Sequence, residues 1–206
     1  MTLPSLTEAK KLFEKACLVT DENNLKDGLI KGVSRRHYLR VAENAKLIAS
    51  KTAYLNPEKA YILGLLHDYG ECVVYGNNSL FHGTTGYDEM MKLGYDEVAK
   101  VCLTHSFFCE DIDPDEYQSY PRDEILRAAD YIKEHPLDDY DKLIQVSDLM
   151  VKRDKNTNIS DRLDFVAAKY HVSSDVIKRK KLSALNLKNY FDNLCGQDIY
   201  QIVGII

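Results

Sequence analysis

The sequence predicts an all-α fold, on two observations. Apolar residues recur three and four positions apart in nearly every segment, which places them along one side of a helix. No convincing set of alternating strands accompanies them, so helix-on-helix packing is the layer architecture that remains. The chain has 206 residues, 45% hydrophobic and 29% charged, which is enough for one domain with a real core. Glycine and proline are sparse.

The elements follow in order. A first amphipathic helix is expected over 5–17, turning Leu6, Leu12, Phe13 and Ala16 inward. DENNLKDG (21–28) reads as a loop. Ser34 is a suitable N-cap for a helix running to about residue 53, with Val41, Ala45 and Ile48 as its stripe and His37 four residues before Val41. Asn56-Pro57 opens the next helix, with proline at its first position, where its missing N–H is not needed. That helix runs into AYILGLLHDYGE (60–71), whose Ile62, Leu63, Leu65 and Leu66 lie on every side, the mark of a buried helix. CVVYGNNS (72–79) reads as an irregular connection. Helices are expected at 82–93 and 95–107, with Gly94 between them, and DIDPDEYQSYP (111–121) is an acidic, turn-rich loop. Helices at 122–134 and 139–153 are separated by His135-Pro136. DKNTN (154–158) looks like a joint, and helical patterns follow at 159–170, 173–183 and 184–195. There is no internal repeat, and 1–206 is read as a single all-α domain.

Composition excludes several classes of function. A net charge of −5 argues against sequence-independent nucleic-acid binding but is compatible with a small anion at a local site. No apolar run is long enough to span a bilayer, and MTLPSLTEAKKLF lacks the pattern of a secretory signal. The five cysteines are scattered and form no Cys-x-x-Cys, which argues for a reducing cytoplasm and against a thiolate zinc site.

Six residues bear metal chemistry where helices should be buried. His67 and Asp68 follow the most hydrophobic turn of their helix. Burying a carboxylate costs several kcal/mol, roughly, unless it is paired or coordinates a metal. His37 lies on the stripe of its helix, and His105 lies on a stripe with Val98, Val101 and Cys102. Asp148 falls inside LIQVSDLMV, and His82 follows Leu80-Phe81 at a helix start. Imidazole and carboxylate are the usual ligands of Zn, Fe and Mn, and helices are stiff enough to converge them. A histidine on an apolar stripe is more often a satisfied core residue, so it is the set that carries weight. His135 and His171 sit on no apolar face and are read as surface residues.

The ordered set His37, His67-Asp68, His82, His105, Asp148 resembles the HD-domain superfamily of metal-dependent phosphohydrolases, over roughly 30–153. AENAKLIASKTAYLNPEKAYILGLLHDYGE looks like the family's first histidine helix and the helix carrying its doublet. FHGTTGYDEMMKLGYDEVAKVCLTHS looks like the corresponding region of bacterial HD-type diadenosine tetraphosphate hydrolases. The resemblance implies an HD metal-binding core over 30–153 and a C-terminal helical extension over 154–206. It implies divalent ions, one or two per chain (Fe, Mn, Zn, Co or Ni). Asp68 would lie between them, with His37, His67 and Asp148 on one and His82 and His105 on the other. The implied reaction is attack of a metal-activated water on a phosphoester or phosphoanhydride of a nucleotide-type substrate. Glu71 stands where many dinuclear members carry lysine, and this resembles the mononuclear nucleoside 5′-monophosphatases. Glu71 is thus a candidate general base, leaving-group acid or partner of a ligand histidine, while it also fits a solvated residue past a helix end.

Phosphate needs cationic clamps. Arg35, Arg36 and Arg40 surround His37, and Lys152 and Arg153 follow Asp148, making Arg35, Arg36, Arg40 and Lys152 candidates for substrate binding. Lys178–Lys181 reads as a solvated face, and Tyr69 and Tyr87, near the candidate ligands, read as core packing ahead of stacking on a base. Three other readings share the pattern: a mononuclear monophosphatase using Glu71, a di-iron oxygenase on the same scaffold, and a non-catalytic module that binds metal or nucleotide. The expected partner is a small phosphorylated substrate, with no nucleic acid or membrane, and dimerisation is left open.

Overall fold

In a computed structural model of the chain, residues 2–27, 35–74, 80–109, 112–170 and 172–205 are described, with the backbone alone over 19–27. Helices carry the fold in the order α1 (Leu6–Asp27), α2 (Arg35–Ala49), α3 (Pro57–Leu66), α4 (Glu71–Val74), α5 (His82–Lys92), α6 (Asp96–Thr104), α7 (Arg122–Glu134), α8 (Asp139–Leu149), α9 (Ile159–Tyr170), α10 (Ser174–Cys195) and α11 (Ile199–Ile202). A 3-10 turn covers Pro114–Tyr117, and β1 (Val151–Lys152) pairs antiparallel with β2 (Lys155–Asn156). The fold is all-α, as the periodicity predicts. No helix among the described residues is long and apolar enough to cross a membrane.

Local chemistry explains the helix starts. The Asn56 side chain accepts from the backbone N–H groups of Glu58 and Lys59 at 2.8 and 3.1 Å, with Pro57 at the first position of α3. Asp138 and Asp141 form a reciprocal capping box at the start of α8. The proposed Ser34 cap lies outside the described residues.

The structure corrects several boundaries. α1 continues through most of DENNLKDG, a polar run with no glycine or proline before Gly28. α2 stops at Ala49, short of residue 53. Part of CVVYGNNS is helical, since α4 covers Glu71–Val74, while 75–79 lie outside the described residues. α8 stops at Leu149, and the chain then turns through the β1–β2 hairpin, with Arg153 at φ 60°. Tertiary bonds hold that hairpin: Asn44 Nδ2 donates to Asn156 Oδ1 at 3.0 Å, and Asn156 Nδ2 donates to the Val203 carbonyl. α10 is one helix where two were expected, with no breaker across Ser174–Cys195 and Ala184 buried mid-way.

Two hydrophobic clusters organise the packing. The larger joins Phe13, Val41, Ile48, Leu63, Val98, Ile144, Leu163 and Phe191, so residues of α9 and α10 share the core of α2, α3, α6 and α8. The smaller gathers Phe81, Leu103, Phe107, Ile125 and Ala128, with Tyr117 and Tyr120 packed against it.

Two glycines set how closely elements approach. A Cβ at Gly64 would stand 2.8 Å from Ala42 Cα, so α3 lies backbone-close on α2. With the His37 and His67 rings 5.5 Å apart, the start of α2 meets the end of α3, and the two helices run antiparallel. A Cβ at Gly70 would stand 1.9 Å from the carbonyl oxygen of His82, so the turn after α3 rests directly on the start of α5.

Candidate metal centre

Five helix ends meet at one place. His37 is in the first turn of α2, His67 and Asp68 follow the last residue of α3, and His82 opens α5. His105 is the C-cap of α6, and Asp148 lies in the last turn of α8. Three of these ends are helix C-termini, whose carbonyl dipoles favour a cation. His37, His67, Asp68, His82 and His105 are all buried, and the side chain of Asp148 is 19% exposed.

Asp68 divides the cluster into two lobes. Its Oδ2 lies 3.3 Å from His67 Nε2 and 3.7 Å from His37 Nε2, and His37 Nε2 lies 3.0 Å from Asp148 Oδ1. Its Oδ1 lies 3.1 Å from His105 Nε2 and 3.4 Å from His82 Nε2, and those two ring nitrogens are 3.2 Å apart. The turn carrying Asp68 is fixed from behind, since the Tyr38 hydroxyl donates to the Asp68 carbonyl at 3.0 Å.

The donor set fits a cation. His67 Nδ1 donates to the Gly64 carbonyl at 2.8 Å, and His105 Nδ1 to that of Cys102 at 2.9 Å. A ring that donates through Nδ1 presents a lone pair at Nε2. The cluster therefore sets imidazole nitrogens and carboxylate oxygens face to face. Among the described residues, His67 Nε2 and Asp148 Oδ1 are buried with no hydrogen-bond partner, and buried atoms of that kind call for an explanation. Two subsets have ligand atoms all within 4.8 Å of one another: His37, His67 and Asp148, and His67, Asp68 and His105. A divalent ion held by the first subset would satisfy both orphan atoms, while the second spans the two sides of Asp68 and neither includes His82.

The electrostatics agree. Burial pushes the His67 imidazolium down, but the Asp68 and Asp148 carboxylates outweigh it and raise the group to about 9. Burial pushes Asp68 up, yet His67 and His105 hold its carboxyl well below the usual range. Burial also opposes the charge of Asp148, where His37 and Arg162 hold the carboxyl low. His82 is driven down to about 4 by burial, with Asp68 opposing. Without a cation, a proton on His67 supplies part of the positive charge that the two carboxylates require.

Glu71 stands beside the second lobe. Its Oε1 lies 3.5 Å from His82 Nδ1, and its side chain is 27% exposed. Burial first, and the nearby Asp68 charge second, raise its carboxyl to about 7.

The cations expected to bind substrate are mostly engaged elsewhere. Arg35 pairs with Glu14 at 2.7 Å, and Arg36, 79% exposed, with Asp154 at 3.2 Å. Lys152 and Arg153 lie over the Phe165 ring, at 5.2 and 5.6 Å from its centroid, and Arg40 is exposed on α2. The basic run is not simply solvated: Arg179 and Lys180 pair with Glu116, and Lys181 with Asp164 at 2.6 Å. Tyr69 is buried in the core, and Tyr87 packs on Tyr131 at 5.2 Å. His135 is exposed and stacks on Tyr131, while His171 lies outside the described residues.

Sequence reasoning missed two neighbours of the cluster. Arg162, on α9, places a guanidinium nitrogen 3.8 Å from Asp148 Oδ1. Tyr120 sets its ring 5.9 Å from that of His82 and 4.8 Å from that of Phe81. Neither is near a candidate ligand in the sequence, and only the packing of distant segments brings them there.

A family model described as HD domain matches residues 35–149, more than half of the chain. No curated protein and no solved structure was found to match.

Proposed function

The chain belongs to the HD-domain family, and from that premise we propose that it is a metal-dependent phosphohydrolase acting on a nucleotide-type phosphoester or phosphoanhydride. The observation that carries the reading is the position of Asp68, with one carboxylate oxygen facing His37 and His67 and the other facing His82 and His105. Such a carboxylate suits a pair of ions better than a single one.

When bound, divalent ions supply an acidified attacking water and positive charge for the phosphoryl oxygens. The protein's own residues do the rest. His37, His67 and Asp148 would hold a divalent ion on one side, His82 and His105 would hold one on the other, and Asp68 would contribute a carboxylate oxygen to each side. The Nδ1 bonds of His67 and His105 to backbone carbonyls keep the rings in one tautomer and orientation. Glu71 orients His82 through Nδ1. With its carboxyl near neutrality, it also holds or releases a proton beside the reacting group. Glu71 is equally what a mononuclear monophosphatase would use, but that reading leaves the His82–Asp68–His105 lobe without a task.

The test is a panel of nucleoside monophosphates, cyclic nucleotides and dinucleoside polyphosphates, assayed for released phosphate or nucleotide with Mn, Fe, Co, Ni or Zn. Turnover that chelator abolishes and a divalent ion restores supports the proposal. Metal-loaded protein that hydrolyses nothing on the panel points to a binding module. If the bound metal is iron and oxygen is consumed, the oxygenase reading takes its place.

A further inference from the structure

The family match ends at residue 149, yet α9 reaches the metal centre and α10 pairs with the acidic loop beside it. Arg162 is the first sign. Its side chain is 20% exposed, and Asp148 Oδ1, the carboxylate it faces, is 3.8 Å away, beyond hydrogen-bond range. Among the described residues its guanidinium makes no hydrogen bond, so five donors stand at the edge of the centre without an acceptor. A structural arginine buried to this extent is normally forked onto a carboxylate or carbonyl groups.

The second sign lies across the cluster. Tyr120, at the end of the acidic loop, packs edge-on against both Phe81 and His82. That loop is pinned by α10: Glu116, with its side chain 8% exposed, pairs with Arg179 and Lys180, and the Lys180 ammonium lies 4.1 Å from the Tyr117 ring centroid. A loop held this way presents a fixed aromatic wall. Tyr170, at the end of α9 and 40% exposed, neighbours Tyr120, and the Lys169 ammonium lies 4.7 Å from the Tyr170 ring centroid.

We propose that α9, beyond the family's extent, and the loop that α10 pins together build the substrate subsite. Arg162 takes a phosphate oxygen on the Asp148 side of the centre, and Tyr120 with Tyr170 takes a nucleobase on the His82 side. Guanidinium matches phosphate in charge and fork geometry, and tyrosine faces suit a flat base without selecting which one. The substrate class is then a nucleotide whose phosphate lies across the metals between these two walls. This rests on the phosphohydrolase reading above.

The experiment uses the full metal-loaded chain and two probes: inorganic phosphate, and α,β-methylene-ADP, whose bridge does not hydrolyse. Binding is measured by calorimetry for the parent, Arg162→Gln, Arg162→Lys, Tyr120→Leu and Tyr170→Ala, with metal per chain determined on each sample. The expected result is that the parent binds the nucleotide at least tenfold more tightly than phosphate. Arg162→Gln should weaken both probes about tenfold with metal content unchanged, and Arg162→Lys should recover part of the loss. Tyr120→Leu and Tyr170→Ala should weaken the nucleotide alone. Tyr170 is exposed, so that variant tests the wall even if Tyr120→Leu disturbs the fold. Phosphate binding unchanged in Arg162→Gln, or equal loss of both probes in the tyrosine variants, would overturn the subsite while leaving the hydrolase intact. A parent that loads no metal would overturn both.

Discussion

Gly70→Ala is a small change that should dismantle one lobe of the centre without replacing a ligand. The added Cβ would stand 1.9 Å from the His82 carbonyl oxygen, 2.8 Å from the His82 carbonyl carbon and 2.7 Å from the Gly86 amide nitrogen. All three are backbone atoms, so no side chain can swing aside. Ordinary contact begins at 3.4 Å, so the turn after α3 and the start of α5 must part by about 1.5 Å. Metal–ligand distances tolerate only about 0.2 Å, so His82 would leave the coordination range of Asp68 and His105. Overpacking of this kind costs about 1–3 kcal/mol, and the gain in backbone entropy from replacing glycine, about 0.4–1 kcal/mol, offsets only part of it. The expected outcome is a protein that still folds, loses one metal per chain and unfolds at lower denaturant. Elemental analysis and urea titration check both. An alanine variant with full metal content and parental stability would show that the contact at Gly70 does not position His82.

Other outcomes follow from the same geometry. Asp68→Asn should lose metal from both lobes, and with metal present at about a hundred times its Kd the lost linkage is worth about 2.7 kcal/mol, read as a fall in melting temperature that added metal does not restore. Glu71→Gln should keep its metal while kcat falls by about 10²- to 10⁴-fold, the usual range for a lost proton-transfer group; an unchanged kcat would leave Glu71 with no more than a supporting role. Lys100 gives the pH prediction. Burial lowers its ammonium, but Asp141 at 2.6 Å and Asp138 at 3.0 Å outweigh that and raise it above its ordinary value. A raised folded-state value means the contribution is fully present below the unfolded value and is lost as pH rises through the folded one. The stability gap between the parent and Lys100→Met should therefore be constant at neutral pH and close in strongly alkaline solution. A gap independent of pH would refute the pairing.

What the sequence made legible was local. Helix periodicity, the Asn56-Pro57 start and the order of six ligand-type residues are each written within one segment or in the succession of segments. The misses are tertiary. The hairpin after α8 has strands of two residues each, too short for an alternating pattern, and is held by Asn44 and Val203 from distant elements. The continuity of α10 follows from the absence of any breaker, which the apolar spacing around Ser183 obscured. Arg36 adjoins His37 in sequence, but adjacent helix positions lie about 100° apart, and Arg36 faces Asp154 instead. Arg162 comes from a helix that begins beyond the family match, so nothing local marked it. Glu71 was legible as a position, but its pairing with His82 depends on the close approach at Gly70.

The most direct test of the two-lobed centre is metal per chain, measured by elemental analysis on protein purified without chelator or nickel affinity resin, for the parent and for His82→Ala. The account predicts two equivalents in the parent and about one in the variant. One equivalent in both would make His82 structural and reduce the centre to a single ion, and none in either, even after reconstitution, would contradict the metal centre altogether.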